Sequence, residues 1–175
     1  MALTLRNTKG SALTHNEMDA NFLSFPRLIA AYGARLTNTG DTSENTLATI
    51  SIPANSMGPN GFIRVTMLWT TDGNTNTKTM RVRFNNTVFW AITHSSATHL
   101  TGQALGIIRN RNATNSQVGM ALNVSGFTTG FNAAVITSAH DTTGALDLTI
   151  TAQCTTSGSD SIHLEGYSVE VCYAS

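Results

Sequence analysis

The chain has 175 residues, of which only 11% are charged, and its ten basic and ten acidic side chains give a formal net charge of zero. Proteins that bind nucleic acids usually carry a basic surface that neutralises phosphates, so this balance argues against DNA or RNA as a partner. Soluble domains carry about 25% charged residues, and here threonine, serine and asparagine replace them. Because hydroxyl and amide groups cost less to desolvate than ions, this surface favours a protein that assembles with neighbours over a threonine-rich secreted protein without a partner.

The length fits one domain with its own core. The first six residues lack the long apolar core of a secretory signal, and no stretch approaches the roughly 18 apolar residues of a membrane span, so we expect neither export nor a membrane partner. Cys154 and Cys172 show no metal-ligand spacing and are interpreted as free buried thiols in a reducing compartment, with a disulfide as the less favoured alternative. If 145–154 and 162–173 pair as a hairpin, Cys154 lies opposite Ile162 and far from Cys172.

The first predicted element is a short helix that begins after Leu13. Thr14 and Glu17 have the spacing of a capping box, and Leu13 and Met18 have the spacing of a hydrophobic staple. Met18, Phe22 and Phe25 then recur on one face, and Pro26 ends the helix. Isolated helices shorter than about 12 residues are marginal in water, so this one needs a support. The residues alone leave open whether the support is its own domain or a partner that binds Leu13, Met18, Phe22 and Phe25.

After Pro26 the apolar residues alternate with polar ones, which is typical of half-buried strands. The alternating runs are 46–52, 62–70, 80–84, 88–92, 146–150 and 162–173. Asn85-Asn86 predicts a two-residue hairpin, and a change of parity near Gly166 predicts a β-bulge. We predict eight to ten antiparallel strands and no second helix. The predicted fold is all-β, an antiparallel two-sheet sandwich of jelly-roll type over 27–175, preceded by an arm over 1–26 that contains the helix.

No residue pattern points to catalysis. The adjacent pair His140-Asp141 lies in a turn-like stretch, where a solvated loop is favoured over a catalytic pair. The histidines show no zinc-type spacing, no G-x-S-x-G motif surrounds a serine, and the acidic residues are spread singly along the chain. We therefore predict that the protein is not an enzyme and that it binds no metal and no cofactor.

Residues at the outward-facing positions of the strands suggest a contact between subunits. Trp69 and Trp90 share the parity of the aliphatic residues, which places them in the core and weakens the case for a sugar-stacking face. Outward apolar residues on several strands favour a subunit interface, and outward arginines can pair with the acids of a neighbour. The predicted oligomer interface consists of Phe62, Leu68, Arg81, Arg83 and Phe89. Ordinary exposed side chains are the alternative.

Two segments resemble known proteins. The first resembles an N-terminal segment of tailed-bacteriophage virion proteins, of the form K-G-x-x-L-T-x-x-E-x-D-x-N-F. The matching residues are Lys9, Gly10, Leu13, Thr14, Glu17, Asp19, Asn21 and Phe22. The second, from Leu47 to about Gln117, is similar to a β-sandwich domain of phage head and tail accessory proteins and is the looser match. It includes Ile52-Pro53-Ala54-Asn55, Gly58-Pro59-Asn60-Gly61, Asn76-Thr77-Lys78-Thr79 and Asn110-Arg111-Asn112.

The resemblance implies a structural protein of the virion, made in the host cytoplasm and commonly a homotrimer. One role is a capsid cement or decoration protein that contacts the major capsid protein where capsomers meet. The other is a short tail or head fibre that is anchored through its N-terminus to a tail or portal protein and binds a receptor, such as a glycan. Because the sequence contains no coiled-coil heptads and no long shaft, we favour the cement protein.

Overall fold

The computed structural model describes residues 4–23, 25–98, 100–124, 135–158 and 160–175, so residues 1–3 and 24 of the predicted arm lie outside the described part. The helices are α1 (Arg6–Lys9) and α2 (His15–Leu23). The strands are β1 (Arg27–Tyr32), β2 (Leu36–Thr39), β3 (Asn45–Ile52), β4 (Phe62–Thr71), β5 (Lys78–Phe84), β6 (Thr87–His94), β7 (Thr101–Asn110), β8 (Gln117–Val124), β9 (Ile136–Ser138), β10 (Leu146–Cys154) and β11 (Ser161–Cys172). The expectation of no second helix is wrong, because α1 adds one turn before α2.

The strands form two antiparallel sheets. The first has seven strands in the order β1-β11-β4-β7-β8-β9, with β2 also paired to β11, and the second has four in the order β3-β10-β5-β6. Within them, β2-β11-β4-β7 and β3-β10-β5-β6 have the strand order of an eight-stranded jelly roll. β1 continues the edge formed by β2, while β8 and β9 extend the larger sheet beyond β7. The predicted jelly-roll sandwich is therefore confirmed.

All six predicted runs are strands, but β1, β2, β7, β8 and β9 were not predicted. The strand β7 shows the reason. Gly102, Ala104 and Gly106 point inward together with Ile108, whereas Leu105 and Ile107 point outward, so the apolar residues of this strand do not all lie on the core side. A period of two in hydrophobicity therefore identifies the wrong face of this strand.

Two tryptophans occupy the space that the small residues of β7 leave. Trp69 on β4 and Trp90 on β6 are both buried, as predicted. A Cβ atom at Gly102 would lie 2.3 Å from Cζ2 of Trp69, and one at Gly106 would lie 2.3 Å from Cη2 of Trp90. Glycine is required at both positions because atoms of the indole rings fill the volume of a side chain.

The prediction that Phe89 points outward is wrong, because this side chain is 1% exposed. Val82 pairs with Trp90 and Arg83 pairs with Val88, so Phe89 is an extra residue in β6. A bulge of this kind breaks the alternation, and Phe89 and Trp90 are consecutive buried residues. The Phe89 ring packs edge-on against Phe84, with the ring centroids 6.4 Å apart.

Two other local predictions are confirmed. Asn85 and Asn86 connect β5 and β6 with φ values of 43° and 71°, the left-handed conformation that two-residue hairpins need and asparagine tolerates. In β11, the register with β4 shifts between Leu164 and Gly166, which is the predicted bulge. The bulge lies at the point along β11 where its neighbour at the edge of the sheet changes from β2 to β1.

The conditional pairing of 145–154 with 162–173 is wrong, because β10 and β11 belong to different sheets. The two cysteines are not joined in a disulfide, as predicted. Cys154 is buried, and its thiol lies 3.5 Å from the carbonyl oxygen of Asp160. Cys172 is only half-buried, so the prediction of a buried thiol is wrong for this residue.

A buried polar network holds the β4–β5 connection. The Lys78 ammonium is fully buried and donates to Oδ1 of Asn74 (2.6 Å) and to the Asn76 carbonyl (3.1 Å). The side-chain amides of the same two asparagines donate to Oδ1 of the buried Asp160, at 2.7 and 3.2 Å. The amides thus bridge an ammonium and a carboxylate, which is how a protein interior accommodates charges. They tie the β4–β5 connection to the start of β11.

The fit between β7 and the tryptophans gives a stability prediction. Gly106→Ala inserts a methyl group into the Trp90 ring, and we expect it to lower the free energy of unfolding by about 1–3 kcal/mol, as overpacking does. Gly33→Ala is the matched control, because a Cβ there meets nothing within 4 Å. Chemical denaturation of both variants measures the effect, and equal midpoints for the two would contradict the prediction.

Candidate interaction surfaces

The N-terminal hairpin, defined as residues 4–25, is built around the predicted capping box. The Thr14 backbone N–H donates to Oε2 of Glu17 (2.8 Å), and the Glu17 N–H donates to Oγ1 of Thr14 (3.2 Å). The Met18 N–H donates to the Thr14 carbonyl (3.0 Å), which places Thr14 at the N-cap. The capping box is therefore confirmed, while the hydrophobic staple of Leu13 and Met18 stays a prediction.

Three further residues of the hairpin make contacts within it. Lys9 at the end of α1 forms an ion pair with Glu17 in the first turn of α2. Gly10 ends α1 with φ of 74°, and its N–H donates to the Arg6 carbonyl. The Asn21 side chain donates to the Thr4 carbonyl and accepts from the Thr4 N–H, both at 2.9 Å. The polar contacts of the segment thus fold it upon itself.

These contacts determine the ionisation of Glu17. The hydrogen bond from Lys9, followed by those from the Thr14 backbone and hydroxyl, lowers the pKa of Glu17 from 4.5 to about 2. Each of these bonds needs the charged carboxylate as acceptor, so they are present at neutral pH and weaken when the group is protonated.

Several apolar side chains of the hairpin are exposed to solvent. Phe22 is 72% exposed, and Met18 and Phe25 are also exposed. The exposed apolar residues continue beyond Pro26 into the edge strand β1, where Leu28 is 61% exposed. Leu28 was not predicted, although it follows Phe22 and Phe25 at a spacing of three. We call Met18, Phe22, Phe25 and Leu28 the hairpin surface.

A second apolar surface lies on the seven-stranded sheet, on the side away from the core. Its most exposed members are Leu68 on β4 (50%), Ile107 on β7 (37%) and Met120 on β8 (44%). Ile107 and Met120 are directly opposite each other in the β7–β8 register, and half-buried Leu105 and Val118 stand on the same face. We call these five residues the outer apolar face.

The outer apolar face was predicted only in part. Leu68 is exposed as predicted, whereas Phe62 is half-buried under Arg109, whose guanidinium carbon lies 4.8 Å from the ring centroid. Ile107 and Met120 were missed because their strands were missed. The signal that could have identified these two residues is an alternation in which the larger apolar residues occupy every second position of a strand. It predicts their exposure only once those positions are known to face outward.

Arg81 and Arg83 point outward from the four-stranded sheet. The acidic residue that pairs with them belongs to the same chain. Arg83 donates to both carboxylate oxygens of Glu44 at 2.7 Å, and Arg81 lies 3.4 Å from one of them. The bidentate hydrogen bond from Arg83 is the main cause that lowers the pKa of Glu44 from 4.5 to about 2. Glu44 thus supplies a carboxylate to both arginines within the chain, and their place in an oligomer interface stays a prediction.

The outer face of the four-stranded sheet is polar. Its central outward residues include Thr49, Thr149, Asp147 and Arg83, on strands that lie side by side. Threonine suits outward strand positions because its branched side chain packs on the pleat while its hydroxyl meets water. The two outer faces therefore differ in that the larger sheet adds exposed Leu68, Ile107 and Met120 to polar neighbours such as Arg64 and Thr66.

The described residues offer little for catalysis. His140 is half-buried and hydrogen-bonds Thr87 (2.8 Å) and Asn85 (3.1 Å), while the Asp141 carboxylate accepts from Thr143. The two neighbours thus face different partners. Across the described ranges, no three His, Cys, Asp or Glu residues come together in a group that could hold a metal ion. No described helix is long and apolar enough to cross a membrane.

The pKa of Glu17 predicts an acid transition of the hairpin. Because its pKa is lowered on folding, Glu17 stabilises the hairpin above about pH 4.5 and loses this contribution as the pH falls towards about 2. NMR titration of the side-chain carboxyl carbon should give a midpoint near 2. In Lys9→Met the midpoint should rise towards 4.5, because the largest cause of the lowering is removed. A midpoint near 4.5 in the unmodified chain would contradict the contact.

No protein-family model matches the chain, and no curated protein matches it. Among solved structures, the chain is similar to the crystal structure of dimeric latent PorU from Porphyromonas gingivalis, with 12% sequence identity and a TM-score of 0.36. The match covers 82% of this chain but only 13% of that protein's chain. A likeness at this level bears on neither the fold nor the function of the present chain.

Proposed function

We propose that the chain is a non-enzymatic structural protein of a tailed-bacteriophage particle, a homotrimeric capsid cement or decoration protein. In this role the sandwich is a rigid body that contacts other copies, and the N-terminal hairpin binds another virion protein such as the major capsid protein. Protein–protein interfaces of about 1,200–2,000 Å² become effectively permanent when several act on one particle.

The hairpin is the observation that carries the proposal. Among the residues that match the phage segment, Lys9, Thr14, Glu17 and Asn21 all make contacts inside the hairpin. Phe22 belongs to the same segment, yet its ring is 72% exposed. A fold that is stabilised by polar side chains while it presents an aromatic ring suits a docking element, because buried aromatic anchors dominate binding energy at interfaces.

The body of the protein also supports assembly. Its low content of charged residues and its net charge of zero reduce the free-energy cost of removing its surface from water when other proteins bind. The free thiols suit a protein made in a reducing cytoplasm. The jelly roll is an architecture that viral capsid domains use, although it also occurs in lectins.

Substitution of the exposed ring tests the hairpin. We expect Phe22→Asp, and deletion of residues 1–26, to leave a folded protein that no longer binds particles lacking it. Loss of an aromatic hot spot costs about 2 kcal/mol or more, which is roughly 30-fold in affinity. Asn16→Asp is the matched control, since it introduces the same carboxylate at an exposed polar position of α2. Sedimentation of the variants with particles measures binding, and full decoration by Phe22→Asp would exclude the hairpin.

The number of copies separates the two virion roles. A cement protein should be present at a copy number comparable to that of the capsomers, in a regular position on the head in an electron-microscopy map. A small number of copies at a single vertex or on the tail would favour the short fibre. Binding to a glycan array would point to the same alternative, because a receptor-binding tip needs a ligand and a cement protein does not.

A further inference from the structure

We propose that Lys78 and Asn74 react with each other in the folded chain to form a covalent side-chain amide, an isopeptide bond, with Asp160 as the proton carrier. The reaction is a single self-modification without turnover. It goes beyond the proposed virion role and does not depend on it. The three side chains meet where the β4–β5 connection contacts the start of β11.

The first step concerns the amine. The Lys78 side chain is fully buried on β5, and this strand lies between β10 and β6. Its register partners on those strands are Cys154 and His94. The Lys78 ammonium donates to Oδ1 of Asn74 at 2.6 Å and to the Asn76 carbonyl at 3.1 Å. A lysine amine that is kept away from water is a nucleophile that proteins use in covalent chemistry.

The second step concerns the carbon that the amine attacks. Lys78 follows Asn74 by four positions, and its Nζ lies 2.6 Å from Oδ1 of that amide. Because a C=O bond is about 1.2 Å long, Nζ is at most about 3.8 Å from Cγ of Asn74. Reacting atoms that are held about 3–3.5 Å apart are near an attack geometry. Only a small movement of the two side chains is therefore needed.

The third step concerns the groups around the amide. Oδ1 of Asn74 also accepts from the Asn76 backbone N–H at 3.0 Å, a donor placed where negative charge develops during the attack. On the other side, Nδ2 of Asn74, the nitrogen that leaves, donates to Oδ1 of Asp160 at 2.7 Å. Asp160 is 4% exposed, and its Oδ2 is buried without a hydrogen-bond partner among the described residues. A carboxylate in this position can take up a proton and return it.

The bond changes follow from these contacts. One proton passes from Nζ of Lys78 along the hydrogen bonds of the Asn74 amide to Asp160, which leaves a neutral amine and a neutral carboxyl group. The lone pair of Nζ then forms the bond to Cγ while one electron pair of the C=O bond moves onto Oδ1. When the C=O bond re-forms, the Cγ–Nδ2 bond breaks, and Nδ2 leaves with that electron pair and the proton of Asp160. The second proton of Nζ returns to Asp160, so the products are the new amide, one ammonia and a neutral carboxyl group.

The burial of the site favours the products. The reactants keep an ammonium and a carboxylate in the protein interior, whereas the products are neutral, so the cost of keeping two charges away from water is removed. Asn74 is only half-buried, which gives the ammonia a path to solvent. The new bond closes a ring within the β4–β5 connection, and this ring stays closed when the sheets unfold.

Mass spectrometry of a tryptic digest of the unmodified full chain tests the proposal. Trypsin cleaves an unreacted chain after Arg64 and Lys78, which releases the peptide 65–78. An amide at Nζ blocks the cleavage after Lys78, so we expect the joined peptide 65–81, lighter than its sequence by the mass of one ammonia. Recovery of 65–78, or of 65–81 at its full mass, would overturn the proposal. Cyclisation of Asn74 on its own backbone also releases ammonia, but it leaves Lys78 cleavable and therefore yields 65–78.

The variant Asp160→Asn tests the carboxylate. It preserves the shape of the side chain but removes the proton carrier, and we expect the bond to form roughly a hundredfold or more slowly, so that 65–78 dominates the digest. Asp147→Asn is the matched control, because its carboxylate is exposed on β10, and it should give the joined peptide.

If Asp160→Asn does not fold, as judged by circular dichroism, Asp160→Ser replaces it, since a hydroxyl can still accept from the asparagine amides. A folded variant at this position that gives the joined peptide in full would exclude Asp160 as the proton carrier. Particle binding is measured separately with Phe22→Asp, so the isopeptide bond and the proposed function can each fail without the other.

Discussion

The architecture depends on the packing of two tryptophan rings against the part of β7 where two glycines and an alanine point inward. Trp69 belongs to the larger sheet and Trp90 to the smaller one, and both reach the inner surface of β7. A sandwich core has a limited thickness, so large rings must meet small residues. Gly102 and Gly106 meet this requirement. Because Gly102, Ala104 and Gly106 point inward, Leu105 and Ile107 at the intervening positions point outward, while Ile108 packs into the core.

Polar side chains hold the connections of the sandwich in a similar way. In the buried network of Lys78 and Asp160, the Asn74 side chain accepts from the ammonium and donates to Oδ1 of the carboxylate, so that one amide links the two groups. Another network joins β7 to the β3–β4 connection and to the loop before β10, since Asn110 donates to the Gly58 carbonyl and to the Thr142 hydroxyl. The high content of amide and hydroxyl groups therefore serves the interior as well as the surface. A sequence poor in charge can still satisfy its buried polar groups because amides both donate and accept.

The two apolar surfaces differ in how they are supported. The hairpin surface stands on two short helices, which are held by a capping box and one ion pair close to solvent. Such contacts are weak individually and depend on the charge of Glu17, so this part of the molecule responds to acid. The outer apolar face stands on long paired strands with a close-packed core beneath them. In the proposed role, the hairpin surface is the one that docks on another virion protein.

The sequence by itself determined the features that depend on near neighbours. Thr14 and Glu17 form the capping box, Asn85 and Asn86 form the hairpin turn, and the change of parity near Gly166 marks a bulge. Each involves residues a few positions apart, for which spacing largely fixes geometry. The alternation of six strands also sufficed to predict a sandwich, because inward residues must meet a second sheet.

Only the tertiary structure decided the features that depend on distant partners. The extra residue in β6 buries Phe89, and Glu44 meets Arg83 from 39 positions away. The strands β10 and β11 are close in sequence, yet the jelly-roll path places them in different sheets. The outer apolar face could not be predicted from the sequence for the same reason. Whether Ile107 faces the core or the outside depends on what fills the space inside β7, and two tryptophans from other strands fill it.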